Sequence, residues 1–315
     1  MSGQTGRPAA PPPVVSNAAN ATFGLWFPTF RFLARTLPLV WLARLAEVTA
    51  ERAMWEREHV QDAILENTSR VLGLPKYHRK VEEVGREMLR RHSRQWIDLV
   101  RYSELEDVDA SALVTSRRGE DGLVAAVSGG KGAIMLTAHV GNFELGGLFL
   151  KGLGLKNVSA VYARDPSPVV EEHRALSRAR LGVKGIEVTS SPFASVPILR
   201  ALEEGGIVAM QGDRDVSGTG FSMPFFGERA SFPAGPFFIA QQAEVPVFPA
   251  FVLQQPDGFS YRIVIEDPIR VARARGAARE PAVREALASF VAVMEGLIRE
   301  NPEQWYRFEP FWEAS

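Results

Sequence analysis

The 315-residue chain contains no cysteine, which excludes thiol nucleophiles, disulfides and thiolate metal sites in one step. It also lacks an excess of charge. Its 36 Lys and Arg against 37 Asp and Glu leave a net charge of −1, so no whole-protein field draws nucleic acid. Nor is there an unbroken run of the roughly 20 apolar residues that a spanning helix needs. The most apolar stretch, residues 22–48, is interrupted by Pro28, Arg31, Arg35, Pro38 and Arg44. The first twenty residues lack the basic start, apolar core and cleavage site of a secretory signal, which makes a cytoplasmic protein the expectation. They are also poor in large apolar groups around Pro11-Pro12-Pro13, so residues 1–21 read as a disordered tail.

Hydrophobic residues make up 46% of the chain, ample for a packed core. In residues 22–48, Trp26 and Trp41 near the ends and arginines at intervals suit an amphipathic helix lying in a lipid headgroup layer. An ordinary docking helix and a true span are the alternatives. Two charged helices follow, over residues 51–72 and 76–102, separated by Gly73-Leu74-Pro75. On the second, Val81, Val84, Met88, Trp96 and Leu99 form a core-facing stripe, and His92 reads as packed among them rather than as a ligand. Arg79, Arg86, Arg90, Arg94 and Arg101 recur on another face. That row is either a solvated surface or a landing strip for anionic lipid or an acidic carrier protein. Residues 22–103 thus form a helical, membrane-associated region.

From residue 104 to 315 short β-type runs alternate with helical ones, the texture of an α/β domain. Strands are expected over 133–138, 158–163, 186–189, 207–210, 245–252 and 261–265. Helices are expected over 144–151, 169–181, 194–204, 235–243 and 281–300, and residues 103–121 read as a polar link.

His139 follows directly on the apolar strand 133–138, and a helix begins a few residues later. Catalytic groups in open α/β sheets collect at the carboxyl ends of strands. Gly141 permits close backbone approach, Asn142 suits a helix N-cap, and Glu144 falls in the first turn. The spacing from histidine to acid means little alone: His78 and Glu83 share it inside a charged surface helix. The plainer alternative is a packed strand-end histidine and a first-turn acid that answers the helix dipole. Two other strand ends carry polar groups, Arg164-Asp165 and Asp213-Arg214-Asp215, and their joint placement points to a site. Residues 218–227 follow, glycine-punctuated and rich in apolar rings. Phe221, Phe225 and Phe226 there belong either to the core or to an apolar slot for an alkyl chain.

These residues resemble the bacterial lipid A biosynthesis acyltransferases of the lysophospholipid acyltransferase-like superfamily, a family that includes phosphatidylinositol mannoside acyltransferases. The likeness rests on His-Val-Gly-Asn-Phe-Glu at 139–144, where Phe143 replaces a frequent Trp, and Val-Tyr-Ala-Arg at 161–164. The Asp213 segment, Met-Pro-Phe-Phe-Gly at 223–227, Gly235-Pro236 and Pro-Glu-Gln-Trp-Tyr at 302–306 complete it, in family order. It implies an α/β/α sandwich around a mixed, mostly parallel sheet, preceded by membrane-associated helices. It further implies acyl transfer from an acyl carrier protein or coenzyme A thioester to a lipid or glycolipid hydroxyl at the cytoplasmic face of the inner membrane, without metal or other cofactor. In that chemistry His139 is the general base and Glu144 holds its imidazole. Arg164 meets a phosphate or the developing oxyanion. Asp213 contacts the acceptor sugar or positions Arg164, and Asn142 and Arg214 sit with substrate. An acyl-thioester hydrolase and a non-catalytic lipid-binding protein are the other readings.

Overall fold

The computed structural model describes residues 17–312 apart from 105–109, 156, 166, 190, 192 and 217. Most of the expected tail, residues 1–16, and the side chain of Trp26 lie outside the described residues.

The amino-terminal part is four helices, α1 (Asn17–Thr36), α2 (Leu39–Trp55), α3 (Glu58–Leu72) and α4 (Arg79–Glu104). The single helix expected over residues 22–48 is two, because Pro38 has no N–H to continue the ladder and sits extended at φ −54°, ψ 138°. Gly73 closes α3 in the left-handed conformation at φ 63°, the usual glycine stop. The ring of the decoy His78 merely caps α4, its Nδ1 accepting from the Lys80 amide at 3.1 Å. Val81, Met88, Leu89, Ile97 and Val100 of α4 are buried.

Most of the arginine row of α4 makes contacts within the protein. Arg86 and Arg90 both reach Glu51 of α2, at 2.9 and 2.7 Å. Arg94 is 3% exposed, and Arg101 donates to the Ala34 and Leu37 carbonyls that end α1. Most of these cations hold the helices to one another. Beside the exposed Arg44 and Arg52, α2 also presents apolar groups: Trp41 (68% exposed), Leu45 and Val48 (66%) lie one helical turn apart. No helix of the described residues is long and apolar enough to cross a membrane.

The rest is an α/β unit. Its strands are β1 (Val114–Arg118), β2 (Ala133–Thr137), β3 (Val158–Tyr162), β4 (Lys184–Glu187), β5 (Ile207–Gln211), the hairpin β6 (Phe221–Phe225) and β7 (Glu228–Phe232), β8 (Val247–Gln254) and β9 (Tyr261–Ile265). The helices are α5 (Glu120–Ser128), α6 (Gly146–Gly152), α7 (Pro168–Arg180), α8 (Val196–Glu203), α9 (Gly235–Ala243) and α10 (Arg279–Glu300). Seven strands form one sheet in the order β1-β9-β8-β2-β5-β3-β4. All neighbours are parallel except β8 and β9, so the sheet is mixed and mostly parallel. Alternate residues of β2 enter opposite cores. Ile134 and Leu136 pack with α8, α9 and α10, while Ala133 and Met135 pack with α5 and α6, the layering expected of a sheet covered on both faces.

Strand β1, helix α5 and the β6-β7 hairpin have no counterpart in the sequence expectation. Strand β1 lies in the supposed polar link, and its Val-Thr-Ser-Arg-Arg sequence is almost wholly exposed on a sheet edge, so no apolar alternation announces it. The supposed loop 218–227 holds the first strand of the β6-β7 hairpin. Phe226 and Gly227, at φ 50° and 83°, make its turn. A phenylalanine in that left-handed position, in place of the usual Asn or Asp, conceals the hairpin.

Candidate active site

The chain leaves β2 toward one face of the sheet, into α6, and leaves the neighbouring β5 toward the other, into the hairpin and α9. The carboxyl ends of these two parallel strands are therefore open between diverging connections, the usual ligand crevice of such sheets. Thr137 is in register with Gln211. Two residues beyond each stand His139 and Asp213, so the register brings them together.

The imidazole Nδ1 lies 2.9 and 3.0 Å from the two carboxylate oxygens of Asp213, and the His139 amide donates to the same carboxylate at 3.1 Å. Asp213 is fully buried, whereas the His139 side chain is 16% exposed. Burial alone would push the Asp213 carboxyl up. The charge and hydrogen bonds of His139, helped by Arg214, outweigh that and hold it below the usual carboxylate range. An ionised partner at Nδ1 fixes the proton there and leaves the Nε2 lone pair as the basic atom. The Phe143 ring meets the imidazole edge-on at 5.2 Å.

The segment carrying His139 is clamped along its backbone. Tyr306 donates to the His139 carbonyl at 2.8 Å, Gly141 donates to Gln304 at 2.8 Å, and Asn142 donates to Val252 at 2.7 Å. Gly141 adopts φ +63°, and a Cβ there would come within 2.1 Å of the Val252 oxygen, so only glycine fits. The Gln304 side chain in turn pairs with both backbone groups of Gln254 at the end of β8. The closing Pro-Glu-Gln-Trp-Tyr motif is thus a brace for the histidine loop.

Several residues singled out from sequence stand elsewhere than expected. Glu144 does not hold the imidazole. It is the middle residue of a short 3-10 turn over Phe143–Leu145, and its carboxylate is drawn to Arg174 of α7 at 3.2 Å. Arg174 also binds Asp165 at 3.2 Å and lies over the Trp96 ring, so it ties the loops after β2 and β3 to the helical region. Asn142 is 3% exposed, and its amide is bonded inside the protein to Asp98 and Tyr261. Arg164 pairs with Glu187 at 3.0 Å on the surface, where solvent screens it, and Asp213 positions His139 rather than Arg164. Phe225 is fully buried among Phe226, Phe232, Trp305, Phe311 and Trp312, which makes it core rather than an alkyl slot. Phe221 and Phe226 are half-buried beneath Arg284 and Arg299 of α10 and pack against the same core.

His92 packs against Tyr306 and Phe308 with ring centroids 5.2 and 4.8 Å away. Burial, and then the charges of Arg174, Arg214 and His139, press its pKa down to about 3, which keeps it neutral. Arg214 is exposed beside Asp213. Sequence reasoning missed Arg307, whose pKa is lowered by burial and then by Arg214. Its position directly after the Pro-Glu-Gln-Trp-Tyr motif was the available sequence signal. Among the described residues no group of three or more His, Cys, Asp or Glu is placed to hold a metal ion.

An imidazole held by a buried carboxylate at the open edge of an α/β sheet has the form of a base that activates a hydroxyl. Residues 19–314 match the family model of the bacterial lipid A biosynthesis acyltransferases, and the chain belongs to that family; it is an O-acyltransferase. Among its relatives is the phosphatidylinositol mannoside acyltransferase of Mycolicibacterium smegmatis, 24% identical over 259 residues that cover 79% of this chain and 78% of the relative. The protein of the same name from Mycobacterium tuberculosis is 24% identical over 256 residues, covering 80% and 77%. The acyltransferase activity expected from the motifs therefore stands, and its place is in lipid or glycolipid biosynthesis.

Proposed function

We propose that the protein transfers a fatty acyl chain from an acyl carrier protein or coenzyme A thioester to a hydroxyl of a lipid or glycolipid acceptor, with His139 as general base. The observation that carries this reading is the Nδ1 contact of a partly exposed imidazole with the fully buried Asp213. A hydroxyl is a poor nucleophile near neutral pH, and histidine ordinarily titrates near 6.5. Nε2 takes the hydroxyl proton as the oxygen attacks the thioester carbonyl, and Asp213 stabilises the imidazolium that forms. The tetrahedral adduct then collapses, the C–S bond breaks, and the imidazolium returns the proton to the departing thiolate. Such base catalysis contributes about 10²- to 10⁴-fold, so orientation supplies the remainder. Arg214 and Arg307, beside the two residues that bond His139, suit the phosphate groups of donor or acceptor.

The exposed row of Trp41, Leu45 and Val48 supports docking on the cytoplasmic face of the inner membrane, where an amphipathic helix rests its apolar side among the headgroups. Incubation with radiolabelled acyl thioester and membrane lipid should yield acylated lipid with the protein and none with a folded His139→Ala variant. Normal transfer by that variant would overturn the mechanism. Thiol release without lipid product, at saturating acceptor, would identify a hydrolase instead.

A further inference from the structure

The backbone bonds described above hold the histidine loop from two sides, the end of β8 and the 304–306 brace. A third side is held through one side chain. Asn142 Nδ2 donates to the Tyr261 hydroxyl oxygen at 3.1 Å and to Asp98 Oδ2 at 3.3 Å, and the Tyr261 hydroxyl donates to the same carboxylate oxygen. Asp98 lies on α4 and is 2% exposed, and Tyr261 opens β9 and is fully buried. Arg94, one turn earlier, stands 3.8 Å from the other carboxylate oxygen and lies over the Phe259 ring. The amino-terminal helical region thus reaches under the sheet edge and touches the loop three residues after His139.

A requirement for stability alone does not explain this carboxyl. Taking an ionisable group out of water is costly, and apolar replacements of such groups are often neutral or stabilising. Here burial pushes the Asp98 pKa up to about 7 despite bonds from Tyr261 and Asn142 and the charge of Arg94, so its partners do not fully offset the burial. What the carboxyl does provide is a fixed acceptor for the Asn142 amide. Without it that amide would have a buried, unmatched N–H and a reason to turn. Because Gly141 abuts the Val252 oxygen, a turn at Asn142 is transmitted along the loop to the imidazole. Displacement of a catalytic group by about 1 Å can cost on the order of 10²-fold in rate.

We infer that Asp98 and Tyr261, acting through the Asn142 side chain, are positioning residues that hold the imidazole of His139 in line with Asp213 and make helix α4 part of the catalytic apparatus. The inference rests on the reading of His139 as the base. The test measures kcat, the KM for the thioester, and the ¹⁵N resonances of the His139 ring in Asp98→Ala, Asn142→Ala and Tyr261→Phe. Asp98→Ala and Asn142→Ala should each lower kcat about 10- to 100-fold, leave KM within about twofold, and convert a single Nδ1–H tautomer into a mixture. Asp98→Asn, whose amide oxygen still accepts both bonds, should restore most of kcat. The Asp98→Ala/Asn142→Ala double variant should be little worse than either single one, since both break one linkage. A folded Asp98→Ala protein with wild-type kcat and a single tautomer would overturn the inference, as would additive losses in the double variant. If Asp98→Ala fails to fold, Asn142→Ala and Tyr261→Phe carry the same readouts. The ring resonances report positioning even in a protein that transfers no acyl group, so failure here is separable from failure of the proposed reaction.

Discussion

Replacing Asp213 with asparagine keeps the side-chain volume and removes one buried charge. In the native protein that carboxylate accepts the imidazole Nδ1–H and the His139 amide within 2.9 to 3.1 Å. In the variant an amide N–H can point at Nδ1, which favours the other tautomer and moves the proton to Nε2, the atom that must accept one. The missing charge also leaves the imidazolium of the transition state uncompensated. At about 4 Å and an effective dielectric near 20 that interaction is worth about 4 kcal/mol, or on the order of 10³-fold in kcat. Steady-state acyl transfer under saturating donor and acceptor reads the loss directly. In a His139→Ala background the same substitution should cost almost nothing, because the two residues act as a unit. A single variant within about threefold of wild type would refute the pairing, and so would an undiminished loss in the His139→Ala background.

Glu144→Gln should cost far less, under about tenfold in kcat, with a stability loss of about 0.5 to 1 kcal/mol by urea denaturation from its partly exposed pair with Arg174; a loss equal to that of Asp213→Asn would restore Glu144 to the imidazole. The double substitution Trp41→Glu, Val48→Glu replaces two exposed apolar groups, each worth about 1.5 to 3 kcal/mol when buried, and should weaken sedimentation with anionic vesicles at least tenfold without altering the far-UV spectrum. Unchanged vesicle binding would remove α2 from the membrane-docking surface. Stability against pH separates Asp98 from His92. The Asp98 carboxyl is raised to about 7 from an unfolded value near 3.9, so its contribution improves as pH falls from 8 toward 5. His92 is lowered to about 3 from near 6.5, so its contribution is complete above 6.5 and is lost as pH falls toward 3. Asp98→Asn should therefore flatten the alkaline limb of Tm against pH and leave the acid limb in place; an unaltered alkaline limb would contradict the assignment.

Elements with strong local signals were legible before any coordinates. Strand β9 and helix α9 have the bounds that alternation, Gly and Pro suggest, and β2 ends where an apolar run meets His139. The edge strand β1 was illegible because its side chains face water, and the hairpin because Phe226 occupies the turn position where Asn or Asp would have announced it. The arginines of α4 show the same limit in charge. Their helical spacing was visible, but whether Glu51 or solvent faced them depended on how α2 packs.

The sequence by itself determined that a histidine stands at the carboxyl end of a buried strand beside a glycine-bearing loop, since strand, glycine and turn signals are carried by residues within a few positions of one another. Which acid meets that histidine was decided only by the tertiary structure. Glu144 is five residues away along the chain, yet its turn directs it to Arg174. Asp213 is 74 residues away, yet the parallel pairing of β2 with β5 sets it against the ring. Strand order is a property of the whole packed sheet, and the packing of helix α4 against that sheet brings Asp98 and Tyr261, 163 residues apart, together beneath Asn142.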